Sequence, residues 1–122
     1  MIKLAPVYYT SNMERTREFA AALGFVPEAT HVGGGWVELP APNAQLNLHA
    51  MPNDADNPLE AGGTELAFES DDDPDTVAES LAAAGFDDAI VLDENYGRIL
   101  RVTGPDGVRV QINFSDRSLY TA

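Results

Sequence analysis

Cysteine is absent from this chain of 122 residues, and histidine occurs only twice, as His31 and His49. Without cysteine there are no disulfides and no thiolate metal sites, so a metal would have to be held by His, Asp or Glu. Basic residues are also scarce: 7 Lys and Arg stand against 20 Asp and Glu, a formal charge of -13. Such a surface repels phosphate backbones and anionic lipid, so neither nucleic acid nor a membrane is expected as a partner, while a cationic ligand or mere solubility fits. No apolar run reaches membrane-spanning length and no basic, apolar leader follows Met1, so a cytoplasmic protein is expected. What is present suffices for a globular core: hydrophobic residues make up 44% of the chain, enough for one domain.

The chain repeats itself. Ala20-Ala21-Ala22-Leu23-Gly24-Phe25 returns, slightly altered, as Leu81-Ala82-Ala83-Ala84-Gly85-Phe86, half the chain further on. Two tandem units of equal size are the direct reading. In the first, apolar Ile2 to Thr10 runs into a helix start at Ser11-Asn12. Met13, Thr16, Phe19, Ala20 and Leu23 then recur at helical spacing, which predicts an amphipathic helix with those residues inward and Gly24 as its left-handed stop. Phe25 to Thr30, Trp36 to Leu39 and Ala44 to Ala50 read as strands, separated by turns at Gly33-Gly34-Gly35 and Pro40-Ala41-Pro42-Asn43.

Met51 to Gly63 is polar and rich in breakers, so it reads as a linker, residues 51–63, between units of about 1–50 and 64–116. The second unit repeats the order: a strand from Glu65 to Ser70, a helix opened by Asp71-Asp72-Asp73-Pro74 and faced by Val77, Leu81 and Ala84, then strands over Ala89 to Leu92, Arg98 to Thr103 and Val108 to Phe114. The last two flank the turn Gly104-Pro105-Asp106-Gly107. The predicted fold class is α+β: two tandem βαβββ units forming a curved mixed sheet with a groove, helices on its outer face.

Strand alternation sorts side chains between the two faces. Leu46 and Leu48 oppose Gln45, Asn47 and His49. Leu66 and Phe68 oppose Glu65, Ala67 and Glu69, and Val108, Val110, Ile112 and Phe114 oppose Arg109, Gln111 and Asn113. The same parity puts Trp36, Glu38, Arg101 and Thr103 on the polar side, joined by Val7 and Tyr9 if Pro6 and Tyr8 lie under the helix. Aromatics on a polar sheet face suggest ligand stacking.

With these motifs the sequence resembles the vicinal oxygen chelate superfamily of glyoxalases, extradiol dioxygenases and bleomycin-resistance proteins. The likeness rests on Ser11 to Phe19, Leu23-Gly24-Phe25 and Gly104-Pro105-Asp106-Gly107 running into Val108 to Gln111. In the metal enzymes of that superfamily, the resemblance puts the ligands, typically His and Glu, at positions that here hold Ala5, Asn47, Glu65 and Gln111. Only Glu65 is a good ligand for a divalent cation, so no metal and no cofactor is expected. The resemblance then implies a metal-free, bleomycin-resistance-type binding protein acting by sequestration as a homodimer, with a cationic or polyaromatic small molecule as ligand. The alternative is a metal-dependent lyase, isomerase or dioxygenase with a rearranged site on Glu65 and His49.

The ligand-binding residues expected on this reading are Tyr9, Trp36, Glu38, Asn47, His49, Glu65, Arg101, Arg109 and Gln111, with no catalytic residue. Each has a plainer reading beside it. Trp36 and Tyr9 could fill an interface, His49 could be polar lining, and Glu65 could pair internally with Arg101 or Arg109. His31, just before the glycine turn, is expected to be exposed. The Asp71 to Asp73 run lacks the later ligands of a calcium loop and reads as a helix N-terminus, and Gly33-Gly34-Gly35 lacks the Lys and helix of a phosphate cradle.

Overall fold

The computed structural model describes residues 1–23, 25–26, 29–41, 44–53, 59–105 and 107–121. Its elements are β1 (Ile2–Leu4), β2 (Val7–Thr10), α1 (Met13–Ala22), β3 (Ala29–His31), β4 (Trp36–Ala41), β5 (Ala44–Ala50), β6 (Thr64–Glu65), β7 (Ala67–Ser70), α2 (Pro74–Ala83), β8 (Ile90–Glu94), β9 (Gly97–Thr103), β10 (Arg109–Ser115), a short 3-10 helix (Arg117–Leu119) and β11 (Tyr120–Thr121). The α+β class and the doubled βαβββ order both hold, with the first strand of each repeat broken in two. Gly24 and Asp106 lie outside the described residues, as do parts of the Pro40 to Asn43 turn and of the 51–63 linker.

The chain divides into two compact units, and neither is contiguous. One consists of Met1–Leu4 and Leu66–Arg117, the other of Ala5–Glu65 and Ser118–Ala122. We call them the C-unit and the N-unit after the repeat that supplies most of each. The C-unit sheet has the order β1-β7-β10-β9-β8 and the N-unit sheet β11-β3-β4-β5-β2-β6. In both, a parallel pair beside one edge strand joins the first and last strands of the repeat: β2 with β5, and β7 with β10. The terminal strands β1 and β11 pair with β7 and β3, in the other repeat, a long-range pairing that the local alternation of side chains does not encode; hence the difference from units of 1–50 and 64–116.

The two strand-to-helix junctions use the same chemistry. Thr10 Oγ1 accepts the Asn12 N–H at 3.0 Å, and Ser70 Oγ accepts the Asp72 N–H at 3.0 Å. Asn12 then caps α1 by accepting the Arg15 N–H, while Asp73 caps α2 through the Asp75 N–H with Pro74 in the first turn. Asp71 to Asp73 thus lead into a helix, as the sequence suggested. At the far end of α2, Gly85 takes φ 99°, the left-handed conformation that the repeat motif requires.

Each unit has its own core. In the N-unit, Ala20 of α1 meets Val37, Leu39 and Leu48, with Tyr8, Met13, Phe25 and Leu46 around them. In the C-unit, Val77 of α2 meets Leu100, Val102 and Ile112, flanked by Phe68, Leu81, Phe86, Val110 and Phe114. Burying each of the larger aliphatic chains contributes about 1.5–3 kcal/mol, so these clusters dominate the stability of the sheets. Helix α1 departs from its expected face: Phe19 and Leu23 are 64% and 63% exposed. Only Ala20 is buried, with Met13, Thr16 and Arg17 half-buried beside it. Arg17 donates to Thr30 Oγ1 in β3, and the helix meets the sheet through Ala20, which leaves Phe19 and Leu23 outside the contact.

Candidate functional site

Tyr8 packs in the N-unit core, so Val7 and Tyr9 necessarily point to the opposite, polar face of that sheet. Strand register then assembles the face row by row. One row runs Glu38, Asn47, Val7, Glu65 across β4, β5, β2 and β6. The next runs Trp36, His49, Tyr9. Six of the nine expected ligand-binding residues therefore stand together on one sheet face, and every one is buried except half-buried His49.

His49 sits between two aromatic rings. The Tyr9 ring is tilted against it at 5.1 Å between centroids, and Trp36 meets it edge-on at 5.9 Å. Its Nδ1 lies 2.7 Å from the Ala50 carbonyl, which can only accept, so Nδ1 carries a proton and Nε2 keeps its lone pair in the neutral ring. The Trp36 indole N–H donates to Glu38 Oε2 at 2.9 Å. Trp36, at 4% exposure, presents no open stacking surface.

Asn47 is held at both ends of its amide. Its Oδ1 accepts from Gln45 Nε2 at 2.8 Å, and its Nδ2 donates to the Ala5 carbonyl at 3.1 Å. Gln45, 3% exposed, extends the polar face, and its parity with Asn47 is the signal that could have marked it as a site residue. The chemistry of the set does not fit a divalent metal at the positions equated with metal ligands. Ala5 has no donor side chain, its carbonyl is taken by Asn47, and Asn47 Oδ1 is taken by Gln45. Glu65 remains as the one carboxylate, and among the described residues no group of three or more His, Cys, Asp or Glu could hold a metal.

The other three expected residues belong to the C-unit. Gln111 lies in register with Ala67 on one side and Arg101 on the other, and Arg109 with Thr103. Gln111 Nε2 donates to Asn113 Oδ1 at 2.9 Å, the same two-residue amide step seen from Gln45 to Asn47. His31, expected to be exposed, is 8% exposed. Its Nδ1 accepts the Gly33 N–H at 3.0 Å and its ring meets Tyr120 edge-on at 5.7 Å, because β11 pairs alongside β3 and covers it.

This face gathers two buried carboxylates, two buried amides and two aromatic rings around His49. Comparison with known proteins identifies the fold. A chain described as an NAD-dependent benzaldehyde dehydrogenase from Legionella pneumophila superposes with a TM-score of 0.64 at 18% identity, over 89% of this chain and 96% of that one. A glyoxalase/bleomycin resistance protein/dioxygenase superfamily member from Vibrio splendidus 12B01 gives 0.57 at 16% identity, over 92% and 97%. A hypothetical protein from Bacillus halodurans C-125 gives 0.61 at 11% identity, over 91% and 92%. At such identities these matches speak for the fold alone. No curated protein sequence matches the chain. The family model of the Glyoxalase/Bleomycin resistance protein/Dioxygenase superfamily matches residues 4–112, nearly the whole repeat, and the chain belongs to that superfamily.

Proposed function

We infer that this chain is a metal-independent small-molecule binding protein that works by sequestration, in the manner of the bleomycin-resistance members of its superfamily. No bond is broken; protection comes from lowering the free ligand. The observation that supports it most is the fate of the metal-ligand positions: Asn47 is engaged by Gln45 and Ala5, Ala5 has no donor side chain, and Glu65 supplies the one carboxylate among those positions, on a face that retains Tyr9, Trp36, Glu38 and His49. Buried Glu38 and Glu65 and a formal charge of -13 favour a cationic ligand. The aromatic pair around His49 favours a flat one. Because these side chains are covered, the ligand enters by displacing them, and Trp36 reports the event.

The test is a titration of Trp36 fluorescence, with calorimetry in parallel, against bleomycin and other basic or polyaromatic antibiotics. A saturable response is expected, and silence across the panel removes the reading. Elemental analysis of protein purified without chelator separates the alternative: a stoichiometric divalent metal would replace sequestration with metal-dependent chemistry at Glu65 and His49. The homodimer and the cytoplasmic setting belong to the same proposal, and a monomer in sedimentation equilibrium would strike the dimer from it.

A further inference from the structure

The two repeats build the same sheet, and strand register matches them row by row. Ala29, Glu38, Asn47 and Val7 form one row of the N-unit, across β3, β4, β5 and β2. Ile90, Arg101, Gln111 and Ala67 form its counterpart in the C-unit, across β8, β9, β10 and β7. In its own unit, β8 therefore holds the place of β3. The difference lies beyond them. In the N-unit an antiparallel strand, β11, pairs with β3, Tyr120 opposite His31 and Thr121 opposite Thr30. In the C-unit β8 ends the sheet, and among the described residues no strand pairs with its outer side.

As a template β8 is the longer of the two: five residues, Ile90–Glu94, against three in β3. An edge strand points alternate N–H and C=O groups outward, where another extended chain can pair with them. No proline interrupts this one. Val91 packs against the core beneath α2, while Ile90, on the opposite face, is 52% exposed.

Charge decides what kind of chain fits. From Ala84 to Gly97 the sequence carries Asp87, Asp88, Asp93 and Glu94 and no Lys or Arg, and all four carboxylates are exposed. Asp88 accepts the Thr103 N–H, and Asp87, Asp93 and Glu94 make no ion pair among the described residues. The next cation along the chain, Arg98, stands one strand inward, in register with Asp93. A second copy docking edge to edge, β8 antiparallel to β8 about Leu92, would bring both sets of carboxylates onto one seam, where like charges repel. A basic chain meets the opposite situation, an exposed carboxylate near each end of the strand.

We propose that β8 takes up a basic, extended segment of a partner protein as an added antiparallel strand, in the place that β11 fills in the N-unit. Main-chain hydrogen bonds supply the pairing and alternate side chains supply the choice. Apolar residues of the segment lie beside Ile90 and Leu92, and basic residues meet Asp93 and Glu94 at one end and Asp87 and Asp88 at the other. The surface shares no residue with the sequestration face, whose six side chains all lie in the N-unit.

The experiment is an amide NMR titration of the full chain with an amidated heptapeptide of alternating lysine and valine, followed by amide hydrogen exchange of the complex. Two controls accompany it: the same peptide N-methylated throughout, which keeps the charge and cannot pair, and a peptide of alternating glutamate and valine. Saturable shifts centred on Ile90 to Glu94 are expected, with exchange of alternate β8 amides slowed about tenfold or more on binding. The double variant Asp93→Asn, Glu94→Gln should bind about threefold to tenfold more weakly. Both carboxylates are exposed, so the variant folds, which the spread of its amide spectrum checks. Shifts as strong over Asp71 to Asp75 as over β8, equal binding of the N-methylated peptide, or unslowed exchange in β8 would reduce the effect to general attraction by an acidic surface and overturn the proposal. Tighter binding of the glutamate peptide overturns the basic assignment. A dimer in sedimentation equilibrium whose β8 amides are protected before any peptide is added gives the edge to a second copy and overturns it as well.

Discussion

The indole N–H of Trp36 donates to Oε2 of Glu38, two residues along the same strand, at 2.9 Å, and the two residues are 4% and 2% exposed. A buried carboxylate and a buried indole thus depend on each other. Glu38→Ala strands the indole donor and opens a cavity, so we expect a loss of about 2–4 kcal/mol in urea unfolding. Glu38→Gln keeps an acceptor of the same shape and recovers at least half of that loss. Trp36 is the chain's one tryptophan, so its emission follows both transitions without ambiguity. Equal losses in the two variants would show that the hydrogen bond contributes nothing.

Asn47 supports a second expectation. Its truncation in Asn47→Ala leaves both Gln45 Nε2 and the Ala5 carbonyl without a partner in a face that is nearly dry. The expected loss is about 2–4 kcal/mol by denaturant unfolding, and the double variant with Gln45→Ala should cost less than the sum of the singles. Additive losses would mean that the two amides do not act as a pair.

These two examples also show what could be read from residue order. Alternation in Ala44–Ala50 separated Leu46 and Leu48 from Gln45, Asn47 and His49 correctly, because a strand offers only two faces and one of them packs under a helix. Parity stops there. It does not say that β1 and β11 leave their own repeats, since alternation within a strand does not name the strand it pairs with. The helix was harder still. Phe19 and Leu23 lie on the same apolar stripe as Ala20, yet the helix meets the core through Ala20 and leaves both larger side chains in solvent, which spacing alone does not decide. The burial of His31 has the same origin as the exchange of β11: it is covered by a strand from the far end of the chain.

Two glycines with positive φ separate local strain from crowding. Gly85 takes φ 99° with open space where a Cβ would stand, so Gly85→Ala should cost only the left-handed conformation, about 1–2 kcal/mol. Gly97 takes φ 138° where a Cβ would come within 2.4 Å of the Phe114 carbonyl and 2.8 Å of the Asp116 amide. Neither neighbour is a side chain that can swing aside, because Gly97 pairs with Ser115 in the ladder. Gly97→Ala should cost about 3 kcal/mol or more, or prevent folding. Thermal unfolding of the two variants in parallel tests the ordering, and a smaller loss at Gly97 would refute the close approach.

Asp88 provides the pH dependence. Its carboxylate accepts the Thr103 N–H at 3.1 Å, and this hydrogen bond to the charged form holds its pKa below the usual 3.8. A depressed value means that the folded state binds the proton less readily than the unfolded chain. The stabilisation is therefore complete above about 3.8 and is lost as the pH falls through the lower folded value. Asp88→Asn lacks the charge at any pH, so the wild type should be the more stable of the two at about pH 7, and the gap should close toward about pH 2. Urea unfolding of both proteins across that range measures it. A gap of constant size would mean that the loop before β8 is held by the geometry of the Thr103 contact rather than by the charge on Asp88.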